Sequence, residues 1–178
     1  PIIETTRQYV AAMNFASEYA RSNDEYSKNK LQTLIYQELR ERFGLRSQMA
    51  VNVLGDVAAQ YKGEHARNRH RLNNDVSPRS VRFKAMTMHL NYPRDYSLKS
   101  NEMVSLNTID GRAIGPYKLG EYQRHLIDSS EWTTRSAIIS YRERDGNVFL
   151  HVAIEKEIID SFLFECDGVV GVDLGMIN

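Results

Sequence analysis

The sequence holds 178 residues, and its 23 basic and 23 acidic side chains give a formal net charge of zero. This length is enough for the core of one or two small domains, and the overall charge predicts no partner, so any polyanion-binding surface must come from local clustering of cations. The single cysteine, Cys166, excludes a disulfide framework and a cysteine zinc site within the chain, which fits a reducing cytosol.

No apolar run approaches a membrane span and no signal peptide is recognisable, so we expect a cytoplasmic protein without membrane contact. The chain begins at Pro1 without an initiator methionine, and we expect both ends to lie within a longer protein.

Three helices are predicted in the first part of the chain. Apolar residues recur at three- and four-residue spacing over residues 9–20, 31–39 and 49–61. The second helix is predicted over residues 27–43, and Gly44 is well placed to end it. The three apolar faces together predict one small bundle.

A basic segment, residues 62–84, follows the third helix. In "KGEHARNRHRLNNDVSPRSVRFK" only Glu64 and Asp75 oppose the cations, and the Asn-Asn-Asp and Ser-Pro steps predict a helix tail that runs into a loop. Because the run is one-signed and rich in arginine, we expect it to bind nucleic-acid phosphates; the alternative is a solvated helix end. We place a domain boundary at residue 80. The cations of the segment are Lys62, Arg67, Arg69, Arg71, Arg79, Arg82 and Lys84.

Beyond this segment the hydrophobic period drops to two. The alternation over residues 81–86 predicts a strand, and further short strands are predicted over residues 96–98, 103–107 and 113–117. Asp110-Gly111 and Asp145-Gly146 predict hairpin turns, the second of them between the strands "SAIISYRE" and "VFLHVAIE". A short helix is predicted from Gly120 to Ile127. The pattern therefore predicts an α+β fold, a helical bundle followed by a small antiparallel β-barrel or sandwich.

The last eleven residues, "GVVGVDLGMIN", place Asp173 in an apolar run that reads as a short buried strand. A buried carboxylate is costly unless a cation neutralises it, and an aspartate beside glycine on a central strand suits a divalent metal ion. This pattern occurs in the first strand of ribonuclease H-like nucleases and in the phosphate-binding hairpin of actin-like ATPases and sugar kinases. The five histidines show no ligand spacing, and no serine has a nucleophile-elbow context.

Four blocks in a fixed order resemble the OrfB (TnpB) family of transposon-encoded, RNA-guided DNA nucleases, which are related to type V CRISPR effectors. The blocks are "LQTLIYQELRERFGLRSQMAVNVLGDVAAQYK", "VSLNTIDGRAIGPYKLGEYQR", "VFLHVAIEKE" and "GVDLGMIN", and the resemblance runs over nearly the whole chain. It implies a helical recognition domain over residues 1–80, a wedge-like β-barrel over residues 81–165 and the first strand of a truncated RuvC nuclease domain over residues 166–178.

The same resemblance implies the chemistry and the partners. Asp173 would be the first catalytic, metal-binding carboxylate, with Mg²⁺ as the cofactor of the complete protein. The later carboxylates of the RuvC site and the family's zinc ribbon do not occur within the chain, so we expect the chain alone to be inactive as a nuclease. The expected partners are a guide RNA and target DNA with a short adjacent motif, and the expected location is cytoplasmic, with the nucleoid when bound to DNA.

The resemblance also places the start of the third helix close to the target-adjacent duplex, together with polar positions of the second helix. Glutamine and asparagine can each offer a donor and an acceptor to an adenine edge, although a capped, solvated helix start would look the same. The residues concerned are Asn29, Thr33, Ser47, Gln48, Val51 and Asn52.

Two other functions stay open at the level of sequence. A nuclease-inactive, RNA-guided repressor would carry the same binding surfaces and would differ in the downstream carboxylates. A fragment of an actin-like ATPase or sugar kinase would need a phosphate-gripping turn after Asp173, which Met176, Ile177 and Asn178 do not supply.

Overall fold

The computed structural model describes residues 1–69 and 81–157. Asp173, Arg71 and Arg79 therefore lie outside the described residues, as does the strand predicted around Val170. Within them the chain forms, in order, α1 (Ile2–Ser22), α2 (Lys28–Phe43), α3 (Ser47–Arg69), β1 (Thr87–Leu90), β2 (Tyr96–Lys99), β3 (Met103–Thr108), β4 (Gly111–Pro116), α4 (Glu121–Asp128), β5 (Thr133–Arg142) and β6 (Asn147–Glu155). The predicted α+β class, with helices first and antiparallel strands after them, is confirmed.

The three N-terminal helices pack as the apolar spacing predicts. Ala12, Ala16 and Ala20 are fully buried on one face of α1, where their small side chains allow neighbouring helices to approach closely. Gly44 ends α2 with a φ of 65°, a left-handed conformation that glycine adopts without steric cost, so the predicted helix stop is confirmed.

The strands form two three-stranded antiparallel sheets, with strand orders β1-β5-β6 and β2-β3-β4. The turn glycines Gly111 and Gly146 have φ values of 128° and 70°, in agreement with the two predicted hairpins. The Tyr96 hydroxyl on β2 donates to the backbone oxygen of Arg135 on β5 at 2.6 Å, which ties one sheet to the other. The described strands thus pair in two separate ladders, and closure into a barrel is not shown.

The core crosses from the bundle into the sheets. Met88 and Leu90 on β1 lie opposite Ile139 and Ala137 on β5, and all four side chains are buried. They belong to the same hydrophobic cluster as Tyr9 and the other buried residues of the helices. The first sheet is therefore packed directly on the helical bundle.

The prediction of a strand over residues 81–86 is wrong, because β1 begins only at Thr87. Residues 81–83 bond to the side chains of α1 instead of to a strand. The Asn14 amide donates to the backbone oxygen of Phe83 and accepts from its N–H, both at 2.9 Å, and the Ser17 hydroxyl donates to the backbone oxygen of Val81 at 2.7 Å. Side chains alternate along any extended chain, whether or not it pairs with another strand. The hydrophobic period of two is therefore present in the sequence, but it does not show that these residues form a strand.

Candidate nucleic-acid interface

The polar residues predicted to face the duplex fall into two groups. Ser47, Gln48, Val51 and Asn52 share the first turns of α3, with Ser47 exposed and the other three half-buried. Asn29 and Thr33 are exposed on α2, whose first residue, Lys28, lies over the middle of α3. A Cβ built on Gly55 would come within 3.7 Å of the Lys28 Cε atom. The structure therefore gathers the α3 residues at one helix start, and the two α2 residues are exposed on the helix before it.

The amide of Asn52 is occupied within the protein. Its Nδ2 donates to the backbone oxygen of His89 and to Asp95 Oδ2, both at 3.2 Å. Its Oδ1 accepts from Gln48 Nε2 at 3.0 Å and from Asn91 Nδ2 at 2.7 Å. These four bonds use the whole hydrogen-bonding capacity of an amide, so Asn52 holds its neighbours in place, whereas the Gln48 amide keeps one N–H and one acceptor position.

Asp95 anchors this network from the loop between β1 and β2. It is fully buried, and its Oδ2 also accepts the backbone N–H of Asn91 at 2.9 Å. Its own backbone N–H donates to Asn91 at 2.8 Å, and its backbone oxygen accepts from Asn107 at 2.7 Å. The other carboxylate oxygen, Oδ1, is buried without a hydrogen-bond partner in the described part of the chain.

Three exposed arginines from three separate segments surround this helix start, and we call them the arginine cluster: Arg46, Arg94 and Arg112. Arg112 donates to the backbone oxygen of Arg94 at 2.6 Å and to Ser105 Oγ at 3.0 Å. Arg94 Nη1 lies 3.4 Å from Gln48 Oε1. Arg46 Nη2 would lie 3.7 Å from a Cβ on Gly111, the residue before Arg112.

The arginine cluster has no ion-pair partner in the described residues. No carboxylate within residues 1–69 and 81–157 forms an ion pair with any of its three guanidinium groups, whereas Arg124, Arg135 and Arg142 each have one. The first turn of α3 carries no acidic residue, so the positive end of the helix dipole adds to the same field. Guanidinium groups around a helix N-terminus suit phosphate.

Four cations of the basic segment are solvent-facing: Lys62, Arg67, Arg82 and Lys84. Lys62 is exposed, and Arg67 pairs with Glu64 at 2.7 Å while remaining 62% exposed. Arg69 is the last residue of α3. Arg82 and Lys84 are exposed on the stretch whose backbone bonds to the Asn14 and Ser17 side chains of α1. Arg82 lines a cavity of about 790 Å³ that also contains Arg21, Glu18 and Asp24, so its surroundings are of mixed charge.

A second polar cluster lies behind the amide network, where α1, α3 and β1 meet. The Tyr9 hydroxyl donates to Asp56 Oδ2 at 2.8 Å, and His89 Nδ1 lies 2.5 Å from Asp56 Oδ1. The hydrogen bond to Asp56 raises the pKa of His89 against the opposing effect of burial. Burial, with the Asp56 charge, raises the pKa of Tyr9 well above its ordinary value. These hydrogen bonds join the helical bundle to the first sheet.

In the described ranges no group of three or more histidine, cysteine, aspartate or glutamate side chains could hold a metal ion. The expected Mg²⁺ ligand, Asp173, lies outside those ranges. The same ranges contain no helix that is both long enough and apolar enough to cross a membrane.

Comparison of the sequence with known proteins yields no matching family model and no matching curated protein.

Proposed function

We propose that this chain binds nucleic acid at the start of α3, as the N-terminal part of an RNA-guided DNA endonuclease encoded by an insertion sequence. The observation that carries the proposal is the arginine cluster, three exposed arginines without an ion-pair partner in the described residues, of which Arg94 lies 3.4 Å from Gln48 Oε1. Arginine forks match phosphate oxygens, and phosphate contacts position a protein on a duplex without reading its sequence. Gln48 supplies, next to them, an amide of the kind that reads an adenine edge.

This arrangement favours a duplex over a small anionic ligand. The three arginines come from the residue before α3, from the β1–β2 loop and from β4, so they are spread around a helix start. A spread of exposed cations around a polar helix start fits a phosphate backbone that runs past a base-reading side chain. A single anion would need convergent donors in a concave site.

The resemblance to the OrfB (TnpB) family supplies the rest of the proposal. The basic segment, with Lys62, Arg82 and Lys84, would hold the guide RNA, and the duplex at α3 would carry the short motif beside the target. The two sheets would form the wedge-like barrel. In the complete protein Asp173 would be the first carboxylate of a Mg²⁺-dependent RuvC site, and the chain would associate with the nucleoid through DNA. In such proteins base pairing with the guide reads the target, and the protein reads only the flanking motif.

The experiment is a salt titration of DNA binding with two matched triple variants of the 178-residue chain. One variant replaces the arginine cluster by alanine, and the control replaces Arg124, Arg135 and Arg142, which removes the same charge from arginines that have carboxylate partners. Binding of a short labelled duplex is followed by fluorescence anisotropy between about 50 and 200 mM salt.

Each phosphate contact contributes about 0.9 to the slope of log affinity against log salt, so loss of the cluster should lower the slope by about 2.7. The control triple should lower it by less than about one unit, because those arginines bind carboxylates of the protein itself. Equal effects of the two triples would mean that net charge alone drives binding and would refute the proposed site.

A further inference from the structure

We infer that Asp95 is a positioning residue that fixes which way the Gln48 amide faces, and thereby sets the base preference of the site. The inference rests on the proposed function for its ligand. The orientation itself follows from the hydrogen bonds of the described residues.

The first step is the orientation of Asn52. Its Nδ2 faces the backbone oxygen of His89 and Asp95 Oδ2. A backbone oxygen can only accept a hydrogen bond, and Asp95 Oδ2 already accepts the N–H of Asn91. An Asn52 amide turned by 180° would set its oxygen against both acceptors, so only one orientation is compatible with the site.

The second step transfers this orientation to Gln48. Because Asn52 Oδ1 faces α3's first turn, Gln48 must donate to it, and Gln48 Nε2 does so at 3.0 Å. The Gln48 Oε1 atom is thereby left on the side of Arg94, whose Nη1 lies 3.4 Å away. The amide retains one N–H and one acceptor oxygen for a ligand, which is the pair that a glutamine uses on an adenine edge.

The burial of Asp95 supports a role beyond packing. Its Oδ1 atom is buried without a partner in the described part of the chain, and an unsatisfied buried oxygen lowers stability. An apolar side chain would avoid this loss but would supply no acceptor for Asn52. Asp95 therefore fixes the orientation of the Asn52 and Gln48 amides, while its unpaired Oδ1 atom lowers the stability of the fold.

Two substitutions at residue 95 separate hydrogen bonding from charge. Asp95→Asn keeps an oxygen where Oδ2 lies, whereas Asp95→Ala removes the acceptor. Hydrogen exchange of the Asn52 side-chain amide, measured by NMR, should be slow in the wild type and in Asp95→Asn and fast in Asp95→Ala. Fast exchange in the wild type, or slow exchange in all three proteins, would overturn the proposed orientation.

The base preference is measured by selecting bound duplexes from a randomised DNA pool with the whole chain. The wild type and Asp95→Asn should favour A·T over G·C at one position by about tenfold, and Asp95→Ala should lose this preference while still binding the pool through phosphates. A preference that survives in Asp95→Ala, or wild-type binding without any preference, would overturn the inference. If the wild type binds no duplex, the proposed function fails, and the amide exchange still decides the orientation.

Gln48→Glu covers the case in which Asp95→Ala does not fold. Glutamate keeps the length of the side chain and an acceptor oxygen but cannot donate to Asn52, and residue 48 is half-exposed. The tenfold A·T preference should be lost in this variant. Its retention would contradict the inference.

Discussion

Asn14→Ala tests how the chain returns from the basic segment to the bundle. The Asn14 amide makes two hydrogen bonds of 2.9 Å with the backbone of Phe83, and Phe83 is followed by the exposed Lys84. Each bond contributes about 1 kcal/mol net, so their loss should cost about 2 kcal/mol. Alanine is the better helix former by about 0.5 kcal/mol, which leaves a net destabilisation of about 1.5 kcal/mol.

The assay is urea unfolding combined with hydrogen exchange of single backbone amides. The midpoint should fall with an unchanged m-value, and the melting temperature should drop by about 3–6 °C for a chain of this size. The Phe83 amide should lose its protection selectively, since its hydrogen-bond acceptor in the structure is the Asn14 side chain.

The matched control is Gln37→Ala, an exposed amide inside α2 that bonds to Glu41 of the same helix. Its effect should stay within about 0.5 kcal/mol. If Asn14→Ala changes stability as little as the control and leaves Phe83 protected, the account of this segment is refuted.

Three further predictions concern pH, backbone conformation and the basic segment. His89 has a raised pKa in the folded state through Asp56, so its stabilisation should be complete below about pH 6.5 and lost as the pH rises through the raised value. Because the His89 side chain is 46% exposed, this loss of stability should be below about 1 kcal/mol. The His89→Gln variant should lack the loss when its unfolding is measured over the same pH range. Gly44→Ala should destabilise by about 1 kcal/mol in thermal unfolding because of its left-handed φ, whereas Gly115→Ala, with open space around it and no positive φ, should change little. A triple variant replaces Arg67, Arg69 and Arg71 of the basic segment by alanine. In RNA-binding titrations it should lower the slope of log affinity against log salt by roughly one unit per lost phosphate contact. An unchanged slope would mean that these three residues form a solvated helix end.

Local signals in the sequence were sufficient for most elements of the fold. The end of α2 at Gly44 and the hairpins at Gly111 and Gly146 depend on glycine at a positive φ, which is a property of the residue itself. The apolar period over the three helices likewise records which face is buried. These features need no knowledge of distant contacts.

The segment at residues 81–86 shows where local signals fail. Its alternation predicts an extended chain, and the partner decides whether that chain becomes a strand. The partner is Asn14, 69 residues earlier, acting through its side chain. Nothing in the local sequence indicates that pairing.

The contact of the α3 start with nucleic acid stays a prediction, and the structure adds to it hydrogen bonds and neighbours that no local signal in the sequence indicates. The start of α3 was expected to face nucleic acid, but the amide of Asn52 is occupied by residues 37 to 43 positions away. The arginine cluster was missed because its members are isolated in the chain and do not form a run. The four bonds to Asn52 and the gathering of these arginines are products of the fold.

The most direct test of the central claim is an NMR titration of the chain with a short DNA duplex. We predict that the largest amide shifts cluster at residues 46–52, 91–95 and 110–112, which surround the arginine cluster, and that they weaken as salt rises. Shifts confined to other surfaces, or no shift at low salt, would contradict the account.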